Sequence, residues 1–377
     1  MDLVNVLIKS SERCPLSCRY CYEGKKDGRL MSIEVAKRLF EIVQGHPDLK
    51  KISYIWHGAE PMALGIDFFR NALEHQKNFR TNATLSNGMQ SSGVMLNPEI
   101  ADFLINSNIS VGFSLDGPRK VHNQSRVYYD GSGSFDEVMR AVNLMKERDS
   151  RVGVISVLSR LSLDHIDDIY NFFREEDLDF KINPIVNCGF ARENPFLDLS
   201  PREKADAICY LFDRWFFDEP EEGRRKISYG NVESIARSMF TKFGGSCDSL
   251  PNCQTEFIGF DIDGNFLPCS RFSKAQICYG NAFNVKNFSD VLDNTVRQKI
   301  LERHNKNYGC QSCRYDSLCY SGCMHNSFLS GNLMARDPNC LSNMIVYEHI
   351  SSRILNELKE SGSIIATNNN VDGGGFK

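Results

Sequence analysis

The chain has 377 residues, enough for one large domain and one smaller domain, each with its own core. Its 44 Lys and Arg residues nearly balance its 48 Asp and Glu residues, without the long block of one charge that marks a nucleic-acid or membrane surface. No apolar stretch approaches the roughly 20 residues that span a bilayer, and the N-terminus lacks the pattern of a signal peptide. We therefore expect a cytoplasmic protein with no nucleic-acid or membrane partner.

The first half of the chain alternates short β-branched runs with amphipathic helical patterns. Such alternation predicts βα units around a parallel sheet. Ser32 is placed to cap a helix whose apolar stripe includes Leu39 and Val43. Six repeats predict an α/β fold, a partial (β/α)6 barrel of the TIM type, over residues 1–200. Its predicted strands are residues 3–8, 52–56, 83–86, 111–115, 152–158 and 180–186.

The second half of the chain changes character twice. Ser200 and Pro201 favour the start of a helix, and residues 201–245 are predicted to form a helical bridge. Residues 246–345 are rich in Gly, Cys, Asn and Ser with little periodicity, which is typical of a small domain held together by metal ligands. Residues 346–377 are predicted to hold the rest of a helix that begins near residue 341, followed by a disordered tail from residue 367.

The 14 cysteines are far more than packing requires, and a reducing cytoplasm disfavours disulfides, so we expect metal or cluster ligation. Directly after the first strand, Cys14, Cys18 and Cys21 form a C-x3-C-x2-C run. Three thiolates can hold three irons of a 4Fe-4S cluster and leave the fourth iron open to another ligand. A zinc site is the alternative, although zinc sites normally use four ligands.

This run is identified as the signature of the radical S-adenosylmethionine (radical SAM) enzymes. The resemblance implies that Cys14, Cys18 and Cys21 bind a catalytic cluster whose open iron holds the amino and carboxylate groups of S-adenosyl-L-methionine. Tyr20 stands at the aromatic position of the same signature. The position of the run after the first predicted strand agrees with this resemblance, because active sites of βα barrels lie on the loops that follow the strands.

Further elements that follow successive predicted strands resemble the cofactor contacts of this family. Their residues are Gly58, Ala59, Glu60, Pro61, Asn87, Ser114, Asp116 and Arg126. The first four resemble a Gly-Gly-Glu-Pro element that contacts the methionine amino group, with Ala59 in place of the usual glycine. Asn87, Ser114 and Asp116 resemble supports for the cofactor and its ribose, and Arg126 suits the methionine carboxylate. Alone, Ser-Asn-Gly and Asp-Gly are commonly turns, and Glu60 is also suited to cap a helix.

A second series of cysteines resembles the seven-cysteine SPASM extension of radical SAM maturases, and Cys247 adds an eighth thiol. The resemblance implies two closed auxiliary 4Fe-4S clusters. One is expected on Cys247, Cys253, Cys269 and Cys323, and the other on Cys310, Cys313, Cys319 and Cys340. A pair of zinc sites fits the same thiolates. The remaining cysteines, Cys188, Cys209 and Cys278, are expected to be buried structural thiols.

The resemblance also implies a reaction. Radical SAM enzymes cleave S-adenosyl-L-methionine reductively to a 5′-deoxyadenosyl radical, which abstracts hydrogen, here from a peptide side chain. We expect three 4Fe-4S clusters, a precursor peptide or protein as substrate, and a reducing partner such as flavodoxin or ferredoxin. Because the first strand begins near residue 3, we expect a leader peptide to bind the barrel, the bridge or a separate protein.

The expected product is a crosslink between an aromatic residue and a β-carbon of a ribosomally made precursor peptide, because Trp56-His57-Gly58 resembles the ring-crosslinking maturases. Formylglycine-forming anaerobic sulfatase maturation is an alternative. Those enzymes usually carry an acidic residue where this chain has Ser270, and a serine hydroxyl is a poor base. Thioether formation is a further alternative. An iron-sulfur electron carrier or a metal-stabilised scaffold is the alternative of a different class.

Overall fold

A computed structural model describes residues 2–24, 27–220, 222, 226–241, 247 and 252–361. The chain divides into two compact units: unit 1 is Met1–Asp198 with Cys253–Glu302, and unit 2 is Leu199–Asn252 with Arg303–Lys377. Within the described ranges, no helix has both the length and the apolar character needed to cross a bilayer. The tail predicted for residues 367–377 lies outside the described residues.

Unit 1 is built on one nine-stranded sheet with the order β6-β5-β4-β3-β2-β1-β7-β8-β9. Strands β1 to β6 are all parallel, which confirms the predicted partial (β/α)6 barrel. The strands are β1 Leu3–Lys9, β2 Lys51–His57, β3 Thr84–Ser91, β4 Ile109–Ser114, β5 Gly153–Leu158, β6 Asp179–Pro184, β7 Phe257–Phe260, β8 Asn265–Leu267 and β9 Gly280–Asn281.

The helices connect and cover these strands. They are α1 Ile33–Gln44, α2 Ile66–Asn78, α3 Pro98–Asn106, α4 Arg119–Ser125, α5 Phe135–Lys146, α6 Arg160–Leu163, α7 Ile166–Glu175, α8 Phe190–Glu193, α9 Pro201–Phe216, α10 Gly230–Phe240, α11 Phe288–Leu292, α12 Thr295–Leu301, α13 Tyr308–Gln311, α14 Asp316–Cys319, α15 Met324–Leu329 and α16 Cys340–Glu360. Helices α1 to α8, α11 and α12 belong to unit 1, and the other helices belong to unit 2.

Alternation along the strands separates a helix-covered face of the sheet from an inner face. Trp56 of β2 is fully buried and packs edge-on against Phe40 of α1 and Phe69 of α2. Successive side chains of a strand point to opposite faces, so His57 lies on the inner face. The predicted cap of α1 is present, because Ser32 Oγ accepts the Val35 N–H at 3.3 Å. The core of unit 1 therefore lies between the sheet and its helices.

The prediction of one separate cysteine-rich domain over residues 246–345 is wrong in its boundaries. Strand β7 pairs in parallel with β1, and residues Cys253–Glu302 belong to the same unit as the barrel. An open barrel leaves the backbone N–H and C=O groups of its first strand without partners, and an added strand satisfies them. The short apolar run at Phe257–Phe260 supplies that strand, with Ile258 and Phe260 buried.

Unit 2 is helical. Helix α9 begins at a capping box in which Ser200 and Glu203 each bond to the other's backbone N–H. Helix α16 packs along α9, and His349 Nε2 lies 2.7 Å from Asp213 Oδ1. The final predicted helix, residues 341–358, is confirmed; it begins one residue earlier and ends two residues later as Cys340–Glu360.

Candidate active site

The first three cysteines lie on the loop that follows β1, at the carboxyl end of the parallel strands. Cys14, Cys18 and Cys21 are partly exposed, and the Cys21 N–H donates to the Cys18 carbonyl at 3.1 Å in a tight turn. The Ser17 N–H donates to the Val127 carbonyl at 2.8 Å, which fixes the middle of the loop. The backbone, rather than the thiols themselves, therefore holds the three cysteines together at this end of the sheet.

The loop after β6 supports the cysteine loop from a second direction. Gly189 has φ +55°, and a Cβ added there would lie 2.4 Å from the Cys21 carbonyl oxygen and 2.5 Å from that of Tyr22. The Phe190 N–H donates to the same Cys21 carbonyl at 2.9 Å. This close approach of two backbones requires a residue without a side chain.

A buried cation and carboxylate lie beside the cysteine loop. The Arg126 Nε is 3.1 Å from Asp116 Oδ2, and its guanidinium carbon is 5.3 Å from the centre of the Tyr20 ring. The Tyr20 hydroxyl donates to the same carboxylate oxygen. Burial by itself lowers the pKa of Arg126, but the negative charges of Asp116 and of the Cys18 thiolate raise it overall. A permanent positive charge near Cys18 suits the thiolates of an anionic iron-sulfur cluster.

Polar side chains line the inner face where the strands end. Lys9 and His57 are register partners at the ends of β1 and β2, and Gln90 of β3 donates to Ser114 at 3.1 Å. Lys9 Nζ pairs with Glu23 at 2.8 Å. The sequence analysis identified Ser114 but missed Lys9, Gln90 and Glu23. The alternation between the two faces of the sheet, followed to the end of each strand, is the sequence signal that could have identified Lys9 and Gln90.

His57 and Tyr22 form a polar pair at this edge. The Gly58 N–H donates to His57 Nδ1 at 2.6 Å, and the Tyr22 hydroxyl lies 3.2 Å from the same nitrogen. Burial lowers the pKa of His57, which favours the neutral ring. Because Nδ1 accepts the Gly58 N–H, the ring proton lies on Nε2 and is available for donation.

Glu60 lies at the expected end of β2 but has protein partners. It is fully buried, and its Oε1 accepts the Met62 N–H at 3.1 Å and the Ser91 hydroxyl at 2.7 Å. Its Oε2 accepts the N–H of Ser92 at 3.0 Å and also its hydroxyl. Two carboxylate oxygens offer about four acceptor positions, so these donors fill them. Glu60 also caps the short 3-10 turn Pro61–Leu64, as the alternative interpretation expected.

The neighbouring backbone explains why the family element is rich in glycine. Gly58 has φ +80°, and a Cβ there would lie 2.9 Å from the Lys9 Cα. Ala59 has φ +45°, a left-handed conformation that disfavours a side chain. The chain thus adopts the conformation of a glycine pair while carrying one methyl group.

The placement predicted for Asn87 is wrong. The sequence analysis ended the third strand at residue 86, but β3 continues to Ser91 and leaves Asn87 in its middle. Its side chain exchanges two hydrogen bonds with Gln76 of α2, at 2.8 and 3.3 Å, on the helix-covered face. Pairing with β2 and β4 on both sides extends the strand through an Asn-Gly pair that by itself favours a turn. Ser91 and Ser92, which bind Glu60, occupy the strand end instead.

The predicted ligand set of Cys310, Cys313, Cys319 and Cys340 lies within unit 2. The thiols of Cys310 and Cys340 act electrostatically on Cys319, and those of Cys310 and Cys313 act on Cys340. Burial raises the pKa of Cys319 to about 12, and Asn343 Nδ2 lies 3.8 Å from its sulfur. Joint ligation of one cluster by Cys310, Cys313, Cys319 and Cys340 remains a prediction.

Arg303 holds the chain just before Cys323. It is 5% exposed, and its guanidinium donates to the carbonyls of Ser321 and Gly322 at 2.8 Å each. Further bonds reach the carbonyls of Leu333 and Ala335 and the hydroxyl of Ser327. Asp337 completes this support by accepting the Cys323 N–H at 2.9 Å.

The other predicted set is divided between the units. Cys253 and Cys269 belong to unit 1. Burial raises the pKa of the nearby Tyr279, and the negative charges of both thiolates raise it further. Cys247 and Cys323 belong to unit 2. Gly259 of β7 approaches the Cys269 backbone so closely that a Cβ would lie 2.6 Å from its carbonyl carbon. Shared ligation by these four cysteines remains a prediction.

The remaining cysteines have mixed surroundings. Cys188 and Cys209 are buried, and burial raises the pKa of Cys209 to about 12. The Cys188 thiol donates to the Tyr22 carbonyl at 3.8 Å, whereas Cys278 is only partly buried. Among the described residues, no three His, Cys, Asp or Glu side chains are grouped closely enough for a single metal ion. A four-iron cluster is wider than one ion, so the thiolates that hold it lie farther apart than the ligands of a single metal ion.

The fold and the cysteine loop agree with the comparison to known families. The family model of the Radical SAM superfamily matches residues 8–173, which contain the end of β1, the cysteine loop and strands β2 to β5. Residues 8–173 are therefore similar to the Radical SAM domain, and the chain is an enzyme.

Several of the proteins similar to it are named as maturating enzymes. The chain is similar to the cysteine-type anaerobic sulfatase-maturating enzyme of Clostridium novyi (strain NT), with 27% identity across 86% of this chain and 89% of the relative. The solved structure of native anSMEcpe with bound AdoMet and Cp18Cys peptide matches with a TM-score of 0.82 and 22% identity, over 96% of this chain and 100% of the other. Streptococcus suis SuiB bound to the precursor peptide SuiA matches with a TM-score of 0.63 and 15% identity, over 90% and 76%.

Proposed function

We propose that the chain binds a 4Fe-4S cluster through Cys14, Cys18 and Cys21, binds S-adenosyl-L-methionine at the open iron, and modifies a peptide side chain. The observation that carries this proposal is the cysteine loop after β1, which is fixed by backbone contacts next to the buried Arg126. When bound, the cluster and the cofactor supply reductive carbon–sulfur cleavage and hydrogen abstraction. The protein holds both, excludes water and orients the substrate.

The residues around the loop fit these tasks. Arg126 offers a positive charge beside the thiolates, and Asp116 holds it in place. The inner-face row of Lys9, His57 and Gln90 lies at the strand ends, where barrel active sites form. Two closed auxiliary clusters, on the two predicted sets of four cysteines, and reduction by a flavodoxin or ferredoxin complete the proposal.

Reconstitution of the protein with iron and sulfide under anaerobic conditions tests it. We expect about twelve irons per chain and formation of 5′-deoxyadenosine when S-adenosylmethionine and a reductant are added. A variant with Cys14, Cys18 and Cys21 all replaced by alanine serves as the control and should retain about eight irons and form no nucleoside. Tight binding of zinc instead of iron, or no nucleoside from the wild-type enzyme, would reject the proposal.

For the product, we propose a crosslink between an aromatic ring and a β-carbon in a precursor peptide. The product loses two hydrogens and gains a carbon–carbon bond: one hydrogen atom passes to the 5′-deoxyadenosyl radical, and the other leaves as a proton while its electron passes to an oxidised auxiliary iron-sulfur cluster. Ser270, which is 8% exposed, stands where sulfatase maturases usually carry an acidic residue, and its hydroxyl is a poor base. This difference from the sulfatase maturases weighs against formylglycine formation.

Formylglycine formation is the second candidate, because curated relatives that cover most of this chain are named as sulfatase-maturating enzymes. Mass spectrometry separates the two. The enzyme is incubated with a peptide that carries a sulfatase motif and, in parallel, with a small peptide encoded near its gene. A loss of two hydrogens from the small peptide, with fragments that stay joined by an aromatic-to-aliphatic bond, supports crosslinking. Conversion of the cysteine or serine of the sulfatase motif to an aldehyde supports the second candidate.

A further inference from the structure

A buried chain of hydrogen bonds connects the loop after β4 with the segment that leads into α5. The Asp116 N–H donates to His122 Nδ1 at 3.3 Å. His122 Nε2 lies 3.0 Å from Ser134 Oγ, and Ser134 Oγ donates to the Arg126 carbonyl at 2.9 Å. All four residues are buried, and His122 and Ser134 are completely so.

The donors and acceptors in this series of hydrogen bonds permit only one protonation state of the His122 ring. Since the Asp116 N–H donates to Nδ1, that nitrogen carries no proton. Since Ser134 uses its own proton on the Arg126 carbonyl, its oxygen accepts the proton of Nε2. A neutral ring protonated on Nε2 therefore satisfies every group, and a second ring proton would point at the Asp116 N–H.

Asp116 transmits this arrangement to the cysteine loop. Its Oδ1 accepts the Val157 N–H of β5 at 2.9 Å, and its Oδ2 binds the Tyr20 hydroxyl and the Arg126 guanidinium. Tyr20 lies between Cys18 and Cys21 in the chain. A shift of the Asp116 backbone thus displaces both the aromatic residue of the cysteine loop and the cation beside it.

We propose that His122 is a positioning residue for the cofactor site: it fixes Asp116 through one ring nitrogen and the Arg126 backbone through the other. The inference rests on the proposed function, because it concerns the loop expected to hold S-adenosylmethionine. It also gives Asp116 a different role from the one expected, since its carboxylate binds protein groups. Sequence reasoning missed His122, which stands among polar residues of a short helix.

The surroundings of His122 keep it neutral. Burial lowers the pKa of His122 to about 3; the negative charge of Asp116 opposes this shift, and the positive charge of Arg126 adds to it. The Phe135 ring lies edge-on at 5.9 Å on another side. The two hydrogen bonds are therefore maintained across the pH range in which an exposed histidine titrates.

Three variants of the reconstituted enzyme distinguish the contributions of the two ring nitrogens of His122. His122→Asn keeps an acceptor near Nδ1, His122→Gln keeps a donor near Nε2, and His122→Leu keeps neither. Val138→Ala is the matched control, because Val138 of α5 is fully buried and its apolar side chain takes no part in these side-chain hydrogen bonds. The dissociation constant for S-adenosylmethionine is measured by calorimetry, and hydrogen exchange is followed over residues 114–126.

We expect His122→Leu to weaken S-adenosylmethionine binding by about tenfold, the equivalent of two net hydrogen bonds, and to speed exchange in residues 114–126. His122→Asn and His122→Gln should each recover part of the binding. Val138→Ala should lower the unfolding temperature without changing the dissociation constant. If His122→Leu weakens binding no more than Val138→Ala, the inference is overturned and the proposed function is unaffected. If the wild-type enzyme does not bind S-adenosylmethionine, the inference and the proposed function both fail.

Discussion

Replacing Gly189 by alanine should displace the cysteine loop without unfolding the barrel. The new Cβ would lie 2.4 Å from the Cys21 carbonyl oxygen, so the two backbones must separate. Positive φ costs an alanine about 1 kcal/mol. The overpacking adds about 1–3 kcal/mol, and loss of the adjacent bond from Phe190 to Cys21 adds about 1 kcal/mol.

Gly131→Ala is the matched control. Gly131 has φ +86°, but a Cβ there meets nothing within 4 Å. Both variants place an alanine at positive φ, and Gly189 also has ψ −136°, outside the left-handed helical region. Gly189→Ala should therefore be less stable than Gly131→Ala by about 2–4 kcal/mol or more. The comparison removes the cost that positive φ alone imposes on an alanine.

The assay measures iron content and 5′-deoxyadenosine formation of both variants after anaerobic reconstitution, together with their unfolding temperatures. Gly189→Ala should retain about eight of about twelve irons and form little nucleoside, because the displaced loop holds one of three clusters. Gly131→Ala should match the wild type in both. A Gly189→Ala enzyme with full iron content and normal nucleoside formation would refute the claim that this contact sets the cysteine geometry.

Three other predictions concern stability. Ala59→Gly should stabilise the fold by up to about 1 kcal/mol in thermal unfolding, because it relieves a φ of +45° at the cost of some chain entropy. Arg303→Lys should destabilise the protein by about 3 kcal/mol or more and lower the iron content, because lysine cannot replace a guanidinium that binds five protein groups. The stability advantage of the wild type over His122→Asn should shrink by about 1.4 kcal/mol per pH unit between about pH 6.5 and 3.

The sign of the pH effect follows from proton binding. Unfolded His122 binds its proton near pH 6.5 and folded His122 only near pH 3, so acid favours the unfolded state. Measurements of unfolding at pH 7.5 and 5 test this effect, and an advantage independent of pH would contradict the neutral ring.

For Ala59→Gly, the comparison is Ala207→Gly in α9, where loss of helix propensity should destabilise by about 1 kcal/mol. Equal effects at the two alanines would argue against strain at Ala59.

The sequence by itself determined the barrel strands and the ligand spacing. Alternating apolar patterns are local, and the six parallel strands appear where such patterns predict them. The C-x3-C-x2-C run is also local, because one short loop carries all three thiols. These features can be predicted because each depends on residues that are neighbours in the chain.

Tertiary structure alone decided the features that depend on distant pairing. Strand β3 continues past Asn87 because two neighbouring strands bind it, and β7 joins the barrel because β1 offers an unpaired edge. Glu60 is satisfied by serines about 30 residues away, at separations of 31 and 32. His122 gains its role from Ser134 and Asp116 only after folding. Hydrogen bonds of this kind satisfy buried polar groups, and their partners are not encoded in local patterns.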